Sequence, residues 1–141
     1  MRVTTYLSFD GRCEEAFTFY AQCLDGKLGE IFRYGGSPLA DQAPPDWPNK
    51  VMHGSVTVGG HVLMGADIAP ERHEKARGFS LSIQLESPSE AYRIFHELAN
   101  GGKIVMPLEK TFWAERFGVV VDRFGIQWNI NCDGSDQPAV G

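Results

Sequence analysis

Apolar residues recur at two spacings along this chain, one typical of helices and one typical of strands. Residues 13–24 and 88–99 place apolar side chains every three or four positions, as one face of a helix requires. Residues 80–85 and 127–132 alternate strictly, with every second residue apolar. The pattern predicts two amphipathic helices set among several strands.

The two helices belong to an internal repeat. Residues 15–26 and 90–101 match position by position, and a Lys-aliphatic pair follows each segment. Ser87 with Pro88 and Glu90 predicts a capping box at the start of the second helix. Left-handed helix ends are predicted at Gly26 and at Gly101-Gly102. The predicted buried stripes are Cys13, Phe17, Tyr20 and Leu24 in the first helix, and Ala91, Ile94, Phe95 and Leu98 in the second.

Predicted strands surround both helices in the same order. In the first half they cover 3–9, 28–34, 51–58 and 61–67, and in the second half 79–85, 104–106, 111–122 and 126–132. Gly59-Gly60 predicts one hairpin turn and Arg123-Phe124-Gly125 another. The fold class is therefore α+β, with two tandem βαβββ modules.

Three segments lack either pattern. Residues 35–50 are rich in proline and glycine and predict a long loop, from which Trp47 is a weak candidate to close over a ligand. We expect one domain over 1–132, with module one at 1–69, a linker at 70–77 and module two at 78–132. Residues 133–141 are polar and predict a flexible C-terminal tail.

Composition and charge narrow the class of partner. The chain has 141 residues and a formal net charge of -5, which disfavours nucleic acid and anionic membranes as partners. Neither a secretion signal nor a membrane-spanning run is apparent. Three cysteines without C-x-x-C spacing fit a reducing compartment, so we expect buried thiols and a cytoplasmic location.

Several motifs resemble one known family. They are Tyr6-Leu7-Ser8-Phe9-Asp10-Gly11, Met52-His53-Gly54, Leu63-Met64-Gly65-Ala66-Asp67, Thr111-Phe112-Trp113-Ala114 and Asp122-Arg123-Phe124-Gly125. Together they are similar to the PhnB-like branch of the vicinal-oxygen-chelate superfamily, which includes glyoxalases, bleomycin-resistance proteins and extradiol dioxygenases. The resemblance implies a curved, partly closed mixed sheet around a cavity (the glyoxalase-like fold), and a homodimer.

Metal-dependent members of that superfamily hold a divalent ion with His or Glu on the first and last strands of each module. Carried onto this chain, those positions fall on Thr4, Thr5 or Tyr6, then on Met64, Ser80 and Asn129. None is an imidazole or a carboxylate, the usual ligands for such a centre. We therefore expect no classical metal site and no cofactor, with a divalent metal at another place left open.

The candidate ligand-binding residues follow from the polar strand faces and the aromatic motif. They are Tyr6, Met64, Ser80, Ser82, Phe112, Trp113, Arg116, Phe117, Gln127 and Asn129. The polar faces could instead meet bulk water, and the aromatic residues could pack in the core or in a dimer interface. Arg116 could pair with a ligand carboxylate or phosphate. His53 is the candidate catalytic or polar anchor, with a structural role as its alternative.

The leading functional interpretation is a metal-independent protein that binds a small polar or aromatic molecule. One alternative is a lyase, isomerase or dioxygenase with a displaced metal site, for which Asp67, Glu109, Glu115 and His53 are the candidate ligands. Another is a dimeric interaction module without a ligand. The family resemblance also brings a methyltransferase label, but the chain has no G-x-G-x-x-G turn that would support it.

Overall fold

A computed structural model describes residues 1–133. The predicted flexible tail therefore lies outside the described residues, apart from Asp133. The chain divides into two compact units, Met1–Glu74 and a second that begins at Lys75. We call them module one and module two. No helix within residues 1–133 is long and apolar enough to cross a membrane.

Module one contains one helix and a four-stranded sheet. Its elements are β1 (Thr5–Phe9), α1 (Cys13–Cys23), β2 (Lys27–Arg33), a short 3-10 helix (Ala40–Gln42), β3 (Val51–Val58) and β4 (His61–Asp67). The sheet order is β1-β4-β3-β2, with β1 parallel to β4 and the other pairs antiparallel.

Module two repeats this plan. Its elements are β5 (Leu81–Leu85), α2 (Pro88–Ala99), β6 (Lys103–Glu109), β7 (Arg116–Val121) and β8 (Gln127–Cys132). The sheet order is β5-β8-β7-β6, again with one parallel pair, β5 and β8. The prediction of an α+β chain with two βαβββ modules is confirmed, and neither four-stranded sheet is a closed barrel.

Each helix buries one stripe against its own sheet. The α2 stripe is the predicted one, Ala91, Ile94, Phe95 and Leu98, whereas α1 buries Ala16 and Cys23 in addition to Cys13, Phe17 and Tyr20. All three cysteines are buried and free, as expected. Burial also raises the pKa of the Cys13 thiol, because the thiolate would lose its hydration, which disfavours the nucleophilic thiolate form.

The largest error in a predicted strand boundary is at the start of β7. Strand β7 begins at Arg116 rather than at Thr111, because residues 111–114 form a turn. The Thr111 N–H donates to the Ala114 carbonyl (3.1 Å), and the Ala114 N–H donates to the Thr111 hydroxyl (3.1 Å). This side-chain bond gives the backbone an alternative to strand pairing, a common effect of threonine. Phe112 and Trp113 therefore lie on a loop.

The helix ends correct a second prediction. After α1 the left-handed residue is Asp25 (φ 51°), not Gly26, whereas after α2 it is Gly101 (φ 77°). Gly26 serves another purpose, since a Cβ there would lie 2.5 Å from the Thr57 carbonyl oxygen of β3. Gly102 approaches the Val121 carbonyl of β7 in the same way. Both modules thus need a glycine immediately before the edge strand.

Candidate functional site

Each sheet has one face against its helix and one face turned away from it, which we call the open face. In β-sheets, paired residues on neighbouring strands share a face. On the open face of module one, Tyr6 pairs with Met64, Met64 pairs with Ser55, and Phe32 pairs with His53. The structure therefore brings three residues singled out from the sequence, Tyr6, Met64 and His53, onto one face.

Three rings form a contact series on this face, and we call Tyr6, His53 and Phe32 the aromatic trio. The Tyr6 hydroxyl lies 3.2 Å from His53 Nδ1. The ring centroids of Tyr6 and His53 are 5.7 Å apart, and those of His53 and Phe32 are 6.4 Å apart. Desolvation raises the pKa of the Tyr6 hydroxyl, which therefore stays protonated near neutral pH. Phe32 was not identified from the sequence.

The open face of module two carries amides and hydroxyls instead. Asn129 on β8 pairs with Ser82 on β5. Its Nδ2 donates to Ser80 Oγ (2.9 Å) and lies 3.4 Å from Ser82 Oγ. Its Oδ1 is the one buried side-chain nitrogen or oxygen without a hydrogen-bond partner in the part of the chain that the structure describes. Half of this amide is thus unsatisfied.

Asn131, two residues along the same strand and on the same face, provides the contrast. Its Nδ2 donates to Gln84 Oε1 (2.8 Å) and to Asp133 Oδ1 (3.1 Å). Gln127, on the same face, stands opposite Val121 in the register. Asn129 and Asn131 therefore differ in their partners although both lie on the same face of β8.

Aromatic side chains border this amide row. Phe117 on β7 pairs with Asn131. Trp113 contacts Phe117 edge to face at a centroid distance of 5.3 Å, and Phe112 contacts Trp113 in the same manner at 4.8 Å. Phe112 is 97% exposed. The structure therefore brings the predicted aromatic cluster together, and it lies on the surface rather than in the core of module two.

Arg116 is engaged by its neighbour in the chain. Its Nη1 donates to the Glu115 carbonyl (2.7 Å) and to Glu115 Oε1 (3.2 Å). An anionic ligand at Arg116 would have to compete with this carboxylate. The contact weakens the expectation that Arg116 binds a carboxylate or phosphate, and it also ties up Glu115, one of the suspected metal ligands.

Asp67 has a structural role that the sequence did not reveal. It is almost completely buried at the end of β4. Its Oδ1 accepts the N–H groups of Gly11 (3.0 Å) and Cys13 (2.9 Å), and its Oδ2 accepts the N–H of Val51 (2.9 Å). The carboxylate therefore holds the start of α1 and the start of β3, and it is not free to bind a metal.

Trp47 is likewise structural. It is buried within module one, where its ring packs against Tyr34 at a centroid distance of 6.1 Å. The Trp47 N–H donates to the Pro44 carbonyl, and the Trp47 carbonyl accepts from Lys50. Trp47 therefore has a packing role in module one, and closure over a ligand stays a prediction.

A divalent metal does not fit the positions at which the resembling family keeps it. Module one offers a phenol that already bonds to His53 and, beside it, the thioether of Met64. Module two offers a hydroxyl and an amide whose NH2 group, a donor, points at Ser80. Hard and borderline divalent ions need carboxylate or imidazole donors. Within residues 1–133, moreover, no group of three or more His, Cys, Asp or Glu side chains is placed to hold a metal.

Comparison with known proteins gives close relatives. The chain is 42% identical to PA1353 from Pseudomonas aeruginosa, whose crystal structure matches with a TM-score of 0.85 over 95% of this chain and 98% of that one. A PhnB protein from Bacillus cereus is 30% identical, with a TM-score of 0.80 over 94% and 99% of the two chains. Protein YjdN from Escherichia coli K12 is 33% identical, over 93% of this chain and 95% of its own length.

A more distant neighbour shares the fold alone. The glyoxylase/bleomycin resistance protein/dioxygenase domain from Frankia sp. EAN1pec is 15% identical and has a TM-score of 0.61. The family profile described as 3-demethylubiquinone-9 3-methyltransferase matches residues 1–131. The chain therefore belongs to this PhnB-like family, and it shares its fold with the glyoxylase/bleomycin resistance protein/dioxygenase domain.

Proposed function

We propose that this protein binds a small, flat, polar organic molecule on the open face of module two, without a classical divalent metal. The observation that carries the proposal is the unsatisfied amide of Asn129. The methyl transfer named in the family description is not part of the proposal, because neither sheet has the doubly wound parallel order of a dinucleotide-type fold.

One of the two polar atoms of the Asn129 amide lacks a partner whichever way round its oxygen and nitrogen are placed. A serine hydroxyl can donate or accept, so turning the Asn129 amide by 180° would leave the nitrogen, instead of the oxygen, without a partner. A buried polar atom without a partner costs about 1–3 kcal/mol. A ligand that donates an N–H or O–H to Oδ1 would offset this cost.

The neighbouring aromatic residues set the shape of the ligand. Phe117 and Trp113 lie beside the amide row, and the exposed Phe112 extends the same cluster. Rings of this kind favour a flat partner that stacks or packs edge to face. Since Arg116 already pairs with Glu115, a neutral ligand suits this face better than an anion. Ser80 and Ser82 would orient its polar edge.

Indole tests this proposal because it is flat and has one N–H donor and no good acceptor. The measurement is a titration followed by NMR of the wild-type chain and of two variants, Asn129→Ala and Asn131→Ala. Asn131 is the matched control, because it is the same residue type on the same strand face but has partners of its own. We expect Asn129→Ala to weaken binding by about 10-fold, the effect of losing roughly one hydrogen bond to a buried group, and Asn131→Ala to change it less than about 2-fold.

Equal effects of the two substitutions would contradict the role of Asn129. A screen of neutral, flat N–H and O–H donors that produced no ligand for the wild-type chain would contradict the binding function itself. It would favour the alternative of an interaction module.

We further propose that no stoichiometric transition metal accompanies the native protein. Elemental analysis after purification without chelators measures this directly. A stoichiometric Fe, Mn, Ni or Zn that His53→Ala removes would support the alternative enzyme with a displaced site. Asp67 could not serve in such a site without releasing three backbone N–H groups.

We also propose that the protein is a homodimer in the cytoplasm. The support for a dimer is edge strand β6, on which Ile104, Val105 and Met106 are consecutive and exposed. Pro107 lacks an N–H and the β6–β7 register shifts twice, features that oppose the addition of another strand. Contact with a second copy would therefore use the side chains of β6. Light scattering should show a dimer that Val105→Asp shifts toward monomer, whereas a wild-type monomer would remove this part of the proposal.

A further inference from the structure

From the loop between β2 and β3 we infer that module one carries a separate binding site, a cleft for a small organic cation that also has an oxygen acceptor. We call it the proline cleft, and it is lined by residues 42–47, Pro70 and Glu71. None of these residues lies on a strand, so the cleft is apart from the open faces of both sheets. The inference does not rest on the function proposed for module two.

The proline cleft forms where the segment after the 3-10 helix meets the turn after β4. Its volume is about 460 Å³, which suits a small organic molecule. Hydrogen bonds within the chain fix both of its sides. The Trp47 N–H donates to the Pro44 carbonyl (3.0 Å), and the His73 N–H donates to the Ala69 carbonyl (3.1 Å). The cleft therefore has its shape before a ligand binds.

The backbone of the cleft offers few hydrogen-bond donors. Pro44, Pro45 and Pro70 line it and have no N–H. The N–H groups of Gln42 and Ala43 already donate to carbonyls within the loop. The backbone therefore has little with which to hold an anion.

Two carboxylates give the cleft its charge. Asp46 and Glu71 line it from opposite segments of the chain, and both residues are exposed. Within residues 1–133, neither carboxylate has a hydrogen bond or an ion pair, and Arg72 does not pair with its neighbour Glu71. An ammonium group would give these carboxylates a partner. The net charge of -5 also attracts a cation over a longer range.

Trp47 adds a donor that requires an acceptor on the ligand. The residue is only 7% exposed, yet its indole N–H has no hydrogen-bond partner in the part of the chain that the structure describes. This N–H is not sealed in the core, because Asn129 Oδ1 is the one fully buried, unpartnered side-chain nitrogen or oxygen among the described residues. Since Trp47 lines the cleft, an ether, hydroxyl or carbonyl oxygen of the ligand can accept the N–H.

The compound para-methoxybenzylamine tests the cleft because it has an ammonium group, an ether oxygen and a flat body that can pack on proline and tryptophan rings. Two counterparts each lack one feature. The alcohol para-methoxybenzyl alcohol has no charge, and para-ethylbenzylamine has no ether oxygen. NMR titrations of the wild-type chain follow the indole N–H signal of Trp47, which is assigned with Trp47→Phe.

We expect para-methoxybenzylamine to shift the Trp47 indole signal. It should bind about 5-fold more tightly than the alcohol, the effect of an exposed ion pair. It should bind about 3-fold more tightly than para-ethylbenzylamine, the effect of about one hydrogen bond. Sodium chloride at about 0.5 M should reduce the preference for the amine over the alcohol, because salt screens exposed charges.

Three variants separate local from overall charge. Asp46→Asn and Glu71→Gln each remove one charge and keep the side-chain shape, so each should weaken binding of para-methoxybenzylamine by about 3-fold and leave the alcohol unchanged. Asp41→Asn is the matched control, because Asp41 is an exposed acid of the 3-10 helix that does not line the cleft. It changes the net charge equally and should alter binding by less than about 1.5-fold. Asn129→Ala, in module two, should leave binding of the amine unchanged.

Four results would overturn the inference. They are no shift of the Trp47 indole signal, equal binding of the amine and the alcohol, equal binding of the two amines, and equal weakening by Asp41→Asn and Asp46→Asn. The last result would mean that the amine responds only to the net charge of the chain. Because the three substituted acids are exposed, we expect the variants to fold, and an unchanged amide spectrum away from the cleft verifies it.

Discussion

Module one places three rings on the open face of its sheet, whereas module two places amides and hydroxyls on the same side of its own. The strand order, the helix between the first two strands and the glycine before the edge strand are the same in both. The shared features are those that packing requires, since the helix-facing side must bury a core. The open faces are free of that requirement, and there the two copies have become chemically different.

The modules also differ in how a buried aspartate orders their loops. In module one, Asp67 accepts the backbone N–H groups of Gly11, Cys13 and Val51, so it joins the end of β4 to the starts of α1 and β3. In module two, Asp122 accepts the N–H groups of Phe124 and Ile126 within its own turn, and its Oδ2 accepts the Trp128 Nε1–H (2.9 Å). Asp67 therefore contributes long-range order, and Asp122 secures a local hairpin.

Replacing Asp67 should have the largest effect on stability. Asp67→Ala leaves three backbone N–H groups without a partner in a buried place, and we expect a loss of about 3 kcal/mol or more in the free energy of unfolding. Urea denaturation measures it. Asp10→Ala, an exposed residue in the same loop, is the control and should change stability by less than about 0.5 kcal/mol. A loss below about 1 kcal/mol for Asp67→Ala would contradict its role as the link between segments.

We expect the second-largest effect on stability from the glycines before the edge strands. Gly26→Ala and Gly102→Ala each push a Cβ against a carbonyl of the neighbouring strand, so we expect each to cost about 1–3 kcal/mol. A Cβ at Gly36 would meet nothing within 4 Å, so Gly36→Ala isolates the separate cost of a positive φ. Thermal and urea unfolding compare the three. If the two modules share this feature, Gly26→Ala and Gly102→Ala should have similar effects; a neutral result for either would break the equivalence.

The smallest effect concerns an ion pair between α1 and β2. Arg33 donates to both carboxylate oxygens of Glu14 (2.9 and 3.1 Å), and this bond lowers the pKa of Glu14. A carboxylate whose pKa is lowered in the folded state stabilises the protein at pH values above the ordinary glutamate pKa of about 4.3. This stabilisation is lost as the pH falls through the lower pKa of the folded state. Because both groups are exposed, we expect at most about 0.5 kcal/mol.

Urea unfolding at pH 7 and at pH 3 measures this contribution in the wild-type chain and in Glu14→Gln. The difference between the two proteins should be present at pH 7 and reduced at pH 3. A difference that grew as the pH fell would contradict the assignment.

The helices and most strands could be predicted from the sequence because they depend on the periodicity of apolar residues. The buried stripe of α2 and strands β3 and β4 follow directly from helical and alternating spacing. Gly59 and Gly60 form the predicted turn with positive φ values of 54° and 79°. The prediction was wrong where a side chain hydrogen-bonds to the nearby backbone, as Thr111 does in the loop before β7.

The sites were harder to predict because they depend on long-range contacts. The alternation along β8 places Asn129 and Asn131 on one face, but only the structure shows that one amide is satisfied and the other is not. Phe32 gave no signal in the sequence, since its importance comes from pairing with His53 across the sheet. Asp67 lay within a recognised motif, yet nothing local indicated its three distant partners.

A paired titration tests the central claim, that Asn129 on the open face of module two binds the donor group of a flat ligand, most directly. Indole is titrated into the wild-type chain, Asn129→Ala and Asn131→Ala, and the three dissociation constants are compared. We predict that Asn129→Ala weakens indole binding by about 10-fold and that Asn131→Ala changes it less than about 2-fold. Equal weakening by both variants would contradict the claim.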